Sequence, residues 1–236
     1  LEEIDVAGQE KLLGSHVLII GAGGLGSAAA PYLASAGVGK ITLVDHDKVE
    51  LTNLQRQIMH SQNSIGKSKV ESGKEFLQSI NPTTTINTIA EKATETSLKE
   101  LLPSVNLVLD CTDNFATRQL INAACFNQKV PLVSGSALKF DGQLSVFDFR
   151  STSSPCYACL FSPEERFEEV SCASMGIFSP LVGIIGAMQA AQALQVLIGF
   201  GQPLVGRMLL WNALNTQIDE IRITRNPTCK VCGSQH

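Results

Sequence analysis

The chain has 236 residues, 44% hydrophobic and 17% charged, with a formal net charge of −4. That length supports a substantial core, that balance excludes an intrinsically disordered chain, and mild acidity without any Lys/Arg run excludes a surface built to neutralise a nucleic-acid backbone. An odd number of cysteines, 7, behind an acidic stretch Leu1–Lys11 with no signal-peptide pattern, points to a reducing cytoplasm rather than a disulfide framework.

In chain order, His16–Ile20 (HVLII) and Lys40–Asp45 (KITLVD) are β-branched apolar runs that predict strands flanking a helix from about Gly24 to Ala36. Between the first strand and the helix, Gly21, Gly23 and Gly26 form a G-x-G-x-x-G loop, with Gly24 inside it. Small residues there let the backbone turn tightly and approach a phosphate, and the helix N-terminus offers free N–H groups. Asp45, at the end of the second strand, is placed to accept hydrogen bonds from ribose hydroxyls. These features fit any adenine nucleotide, NAD included, and equally a tight turn without a ligand.

Past the second strand, Asn53, Arg56, Gln57 and Lys69 gather polar and cationic groups where a triphosphate would extend; the alternative is a solvated basic turn. Lys67–Ile80 has helical period and stops at Asn81-Pro82. Lys67 and Lys69 stand at its start, the end that cations avoid, so each needs a ligand or a charge partner. A strand near Thr84–Ala90 and a helix near Glu95–Leu102 follow, then a buried strand Val105–Asp110, a helix Ala116–Asn127 and a further strand in Val130–Ala137. In DCTDN (Asp110–Asn114), Asp110 suits a turn cap, and Asp113, with Asn114 beside it, suits either a magnesium ion or a plain helix N-cap.

The second part changes character. Phe140–Phe149, Gly206–Ala213 and Gln217–Thr224 alternate apolar and polar residues as antiparallel strands do. A polar connection, Arg150–Gly176, leads into the apolar stretch Ile177–Phe200. Pro180, Gln189, Gln192 and Gln195 make that stretch a buried helix rather than a membrane span. Two Cys-x-x-Cys pairs, Cys156/Cys159 and Cys229/Cys232, are what a closed tetrahedral zinc site requires, each pair giving one knuckle; four unconnected cysteines or a redox pair is the alternative. The expected fold is α/β: a Rossmann-like, mostly parallel sheet with helices on both faces, extended by antiparallel strands and a structural zinc site, in one domain over 1–236. Its nucleotide-binding part is about 15–137 and its second part about 138–236.

Taken together, GAGGLGS, ASAGVGKITLVDHD, TNLQRQ, LDCTDN, CYAC, the Cys172–Gly176 segment, PLVGIIG and RNPTCKVCG resemble the MoeB/ThiF-type adenylyltransferases, relatives of the ubiquitin-activating enzymes, over about Gly8 to Gly233. The resemblance implies ATP-dependent adenylation of the C-terminal glycine of a small ubiquitin-like sulfur-carrier protein ending in Gly-Gly, a homodimer and a structural Zn²⁺. It makes Gly24 and Asp45 nucleotide contacts, Asn53, Arg56 and Lys69 phosphate contacts, and Asp113 the Mg²⁺-linked carboxylate. It also makes Cys172 a residue that can link covalently to the activated carrier, in a segment expected to stay mobile until the carrier docks. The second part is then the carrier-binding part. Several stretches look closer to the molybdopterin-synthase branch than to the thiazole branch of thiamine synthesis.

The chemistry suits the inventory. A carrier's terminal carboxylate, with a reference pKa of roughly 3.5, is ionised at neutral pH and needs no general base. His46 and His60 are accordingly read as ordinary polar loop residues. Two departures stand out. The family's Arg-Tyr-x-Arg-Gln segment, whose arginine reaches the neighbouring subunit's ATP, belongs upstream of residue 1, and Trp211-Asn212 stands where an aromatic followed by Asp is usual. An NAD-dependent dehydrogenase and a nonenzymatic zinc-stapled scaffold are the readings from other classes.

Overall fold

A computed structural model describes residues 1–164 and 176–233. Cys172 and most of the segment around it therefore lie outside the described residues.

Strands β1 (His16–Ile20), β2 (Lys40–Val44), β3 (Thr85–Ile89), β4 (Leu107–Asp110), β5 (Leu132–Leu138), β6 (Asp141–Phe147), β7 (Arg207–Asn212) and β8 (Gln217–Arg222) form one sheet in the order β3-β2-β1-β4-β5-β6-β7-β8. The pairs from β3 to β5 are parallel, and those from β5 to β8 are antiparallel. The expected strands are found: β1 has the expected bounds, β5 runs one residue past Ala137, and the others are shorter than their runs. The central parallel strands β1, β2 and β4 are almost wholly buried because both faces are covered, whereas the edge strand β3 (TINTI) alternates with Thr85 and Asn87 exposed. In β1, Val17 and Ile19 enter one core and Leu18 and Ile20 the other, as the period of two dictates.

Helices α2 (Gly24–Ser35), α3 (Lys69–Ile80) and α7 (Ser179–Ile198) cover the first face, and α4 (Glu95–Leu101) and α5 (Phe115–Gln128) the second. Helix α3 starts at Lys69 rather than Lys67. Two helices carry no clear periodic signal. In α1 (Asp5–Leu13) only Gly8 and Leu12 are buried, too narrow a stripe to read from sequence. The short α6 (Tyr157–Leu160) is a single turn opened by Cys156. By length and composition α7 could cross a membrane. In the fold it is a core element that packs on α2, β5 and β6, with Gln189 fully buried and donating to the carbonyls of Asp110 and Val133.

The chain leaves β1 toward β2 and β3, then returns to place β4 on β1's other side. That reversal opens a crevice outside the carboxyl ends of β1 and β4, where open α/β sheets bind ligands. The glycine turn after β1 and the DCTDN turn after β4 both end there.

Candidate active site

Sterics define the glycine turn. Gly21 has φ +101°, and a Cβ on it would stand 2.5 Å from the Cys111 carbonyl oxygen. A Cβ on Gly26 would stand 2.0 Å from the Gly21 oxygen. Only glycine lets the β1 turn, the β4 turn and the first turn of α2 meet this closely. Gly23 precedes α2, and Gly24 opens it against the Val182 side chain of α7. The first-turn N–H groups of α2 have no intrahelical acceptors and are donors that an anion in the crevice could use.

Asp45 is tied into the protein. Its Oδ2 accepts from the Ala22 N–H at 2.7 Å and its Oδ1 from the Asp47 N–H at 2.8 Å. Each oxygen keeps a lone pair for a ribose hydroxyl, but one structural task is to hold the glycine turn. Lys69 is buried at the start of α3, with its ammonium 2.8 Å from Asp47 Oδ2. Burial opposes the Asp47 charge, yet the Lys69 hydrogen bond holds its carboxyl below the usual range. Lys67 pairs with Glu75 at 2.9 Å. Both lysines thus have the charge partners their position demands.

Asn53 accepts from the Glu50 N–H at 3.1 Å, and Arg56 donates to the Thr52 carbonyl at 3.4 Å, so both are braced by their own turn. Gln57 is buried beside Gly23, and its Oε1 has no hydrogen-bond partner among the described residues. A buried acceptor or amide left unpaired costs free energy until a ligand or water satisfies it.

After β4, Asp110 is fully buried. Its Oδ1 accepts from the Thr112 N–H and hydroxyl at 3.0 and 2.7 Å, and its Oδ2 from Ser134 at 3.3 Å. Burial pushes its carboxyl up, against the nearby Arg118 charge. Asn114, not Asp113, is the N-cap of α5, accepting from the Thr117 N–H at 2.9 Å. Asp113 is exposed and makes no hydrogen bond or ion pair with the described residues, which leaves it free for a cation.

Two residues here escaped the sequence reading. His60 is not an ordinary polar loop residue: it is 7% exposed, with Nε2 2.9 Å from the Ala22 carbonyl and Nδ1 2.9 Å from Ser72 Oγ. The buried Met59 beside it was the available signal. Arg118 donates to the Thr112 carbonyl at 2.7 Å and keeps a buried Nε without a partner among the described residues. An arginine in the first turn of a helix runs against the helix dipole, the same signal that marks Lys69.

The four Cys-x-x-Cys sulfurs meet within the second core, against α5 rather than at the crevice. Their closest approaches are 3.6 Å (Cys156–Cys229), 3.9 Å (Cys156–Cys159) and 3.3 Å (Cys159–Cys232), and all four lie within 4.8 Å of one another. A tetrahedral ion with metal–sulfur bonds of about 2.3 Å separates its sulfurs by about 3.8 Å. Backbone N–H groups of Cys156 and Asn226 point at Cys159 Sγ, and that of Val231 points at Cys229 Sγ. Such donors favour thiolates.

The chain is similar to known proteins along nearly all of its length. A model of the ThiF family matches residues 1–231. The molybdopterin-synthase adenylyltransferase of Escherichia coli (strain K12) is 46% identical over 99% of this chain and 93% of its own length. That of Haemophilus influenzae is 44% identical over 96% and 92%. The adenylyltransferase and sulfurtransferase MOCS3 of Drosophila virilis is 43% identical over 100% of this chain and 52% of its own length. Among solved structures, E. coli MccB with ATP superposes with a TM-score of 0.85 at 26% identity, covering 97% of this chain and 69% of that one.

Burial holds the imidazoles of His60 and of His16, which bridges Ser104 and Thr42, below their usual pKa. Lys69 opposes a charge on His60, and the Ala22 hydrogen bond and Asp45 favour one without reversing the shift. Below about pH 6.5 the unfolded chain therefore takes up protons before the native state does, and stability falls with pH until the native imidazoles protonate. The urea midpoint should drop between about pH 7.5 and about pH 5.5 and drop less in a His16→Gln, His60→Gln chain. An equal drop in that double variant would contradict the assignment.

Proposed function

This chain belongs to the ThiF family, and on that premise we propose that it is an adenylyltransferase that uses ATP to activate the C-terminal glycine of a small ubiquitin-like sulfur carrier, that of molybdopterin synthase. The observation that carries this reading is the meeting of the glycine turn and the DCTDN turn at the β1/β4 crevice, with a buried lysine at the start of α3. The named activity of the relatives aligned over nearly the full chain supports it. The thiazole carrier of thiamine synthesis is the alternative substrate. A dehydrogenase would leave the cationic Arg56 and the free carboxylate of Asp113 without a task.

In the reaction, a carboxylate oxygen of the carrier attacks the α-phosphorus of ATP. The bond from that phosphorus to the α,β-bridging oxygen breaks, and pyrophosphate leaves with its electron pair. No proton is removed from the nucleophile, so no general base is required. The protein's task is alignment and charge neutralisation. Gly21, Gly23, Gly24 and Gly26 let the backbone approach the phosphates, Asp45 receives the ribose, and Asn53, Arg56, Gln57 and Lys69 receive the phosphate oxygens. Asp113, with Asn114 beside it, would hold the Mg²⁺ that neutralises the triphosphate. Cys172 is the residue proposed to take the activated carrier covalently, its thiolate sulfur bonding the acyl carbon as the acyl–oxygen bond to AMP breaks and AMP leaves.

Cys156, Cys159, Cys229 and Cys232 would hold a structural Zn²⁺, filling all its positions and tying the segment after β6 to the C-terminal loop. The two parts of the chain share one sheet and are read as one domain. A homodimer is supported by the apolar residues Ile184, Ala187, Met188 and Ala191, which α7 leaves partly or fully exposed. The proposed location is the cytoplasm.

Arg56→Ala, Lys69→Ala and Asp113→Ala should each depress carrier-dependent ATP–pyrophosphate exchange by on the order of 10²-fold, the scale of one lost electrostatic stabiliser. Near-normal exchange in all three folded variants would reject the assignment. Metal analysis of freshly reduced protein should find one zinc per chain, and Cys229→Ser should lose it and lower the melting temperature. Protein free of zinc with an unchanged melting temperature in that variant would remove the metal from the account.

A further inference from the structure

The glycine turn is built from residues that resist peptide flips least, yet two consecutive peptide planes in it are fixed from outside. The Gly21–Ala22 plane is held by its N–H, donated to Asp45 Oδ2 at 2.7 Å. The Ala22–Gly23 plane is held by its carbonyl, 2.9 Å from His60 Nε2, with the Ser27 hydroxyl a longer second donor at 3.5 Å. A trans peptide is planar with its C=O and N–H opposed. Drawing the Ala22 oxygen toward His60 therefore turns the Gly23 N–H the other way, and that N–H has no hydrogen-bond partner among the described residues. Nothing on Gly23 itself would restore this orientation, since it lacks a Cβ to restrict its φ and ψ.

His60 also reaches the second phosphate-facing element. Its Nδ1 lies 2.9 Å from Ser72 Oγ, one turn into α3, whose first residue is Lys69. Because Nε2 must donate to a carbonyl, Nδ1 of the neutral ring accepts the Ser72 hydroxyl proton. The ring is buried, so water does not compete for either bond. One imidazole thus links the orientation of the glycine turn to the helix that carries the lysine.

We propose that His60 is a positioning residue for the nucleotide: it aims the Gly23 N–H at the phosphates of ATP and keeps the glycine turn in register with Lys69. The inference rests on the reading that this crevice holds ATP, and it adds a residue that touches no substrate itself.

Two amide variants separate positioning from packing. Glutamine places its Nε2 about as far along the side chain as the imidazole Nε2, so His60→Gln keeps the donor to Ala22. His60→Asn reaches only as far as Nδ1 and loses it. ATP binding is measured by calorimetry on the full chain, beside ATP–pyrophosphate exchange with saturating carrier. His60→Asn should weaken ATP binding and raise the ATP KM by about tenfold, of the order of one hydrogen bond's worth of orientation. The carrier KM should not change, and His60→Gln should stay within about twofold of the parent in every constant. Should His60→Asn not fold, Ser72→Ala, which frees the ring to turn, carries the test with a smaller rise in the same direction. Equal ATP affinity in the folded variants and the parent, with melting temperature alone lowered, would overturn the proposal. A parent chain without exchange would instead reject the adenylation reading.

Discussion

Close approach of two turns at the carboxyl edge of the sheet is the constraint on which the rest of the molecule depends. Gly21 lies so near the Cys111 carbonyl, and Gly26 so near the Gly21 carbonyl, that any side chain on either would overlap backbone. That contact makes the β1 turn, the β4 turn and the N-terminus of α2 one continuous surface. Gln189 of α7 ties the same edge from behind through the Asp110 and Val133 carbonyls. The crevice is therefore set by the core, and the polar side chains around it are added to that frame.

Those side chains are themselves braced. Asp45 holds the Ala22 N–H and His60 the Ala22 carbonyl, while Asp47 fixes the ammonium of Lys69. Preorganisation of this kind suits a reaction whose nucleophile arrives already ionised, because the barrier then lies in alignment and in charge on the departing pyrophosphate. The four cysteine sulfurs stand apart from this chemistry. They belong to the core on the α4–α5 face and join segments far apart in sequence.

Much of the framework was legible. Uniform apolar runs marked β1, β2 and β4, alternation marked β6 and β7, and the spacing of the glycines placed the turn after β1. The paired Cys-x-x-Cys motifs pointed to sulfurs that the fold does bring together. What stayed hidden depends on tertiary neighbours. Helix α1 buries too little to show a period. His60 reads as a loop residue until Ala22 and Ser72 are seen on either side of it, and β8 alternates like a half-buried strand although all its residues are exposed. Asp45 carried a ligand-binding expectation, while its role in holding the glycine turn could not be read without the Ala22 amide.

The central claim is that this crevice directs attack at the α-phosphorus by a carrier's terminal carboxylate. Intact-mass analysis of a Gly-Gly-ending carrier, incubated with the chain and Mg²⁺–ATP and followed alongside nucleotide products, tests it most directly. The account predicts a carrier heavier by one adenylyl group, removable by hydroxylamine, with pyrophosphate released in equal amount. An unmodified carrier accompanied by ADP and inorganic phosphate would place cleavage at the γ-phosphorus and contradict it.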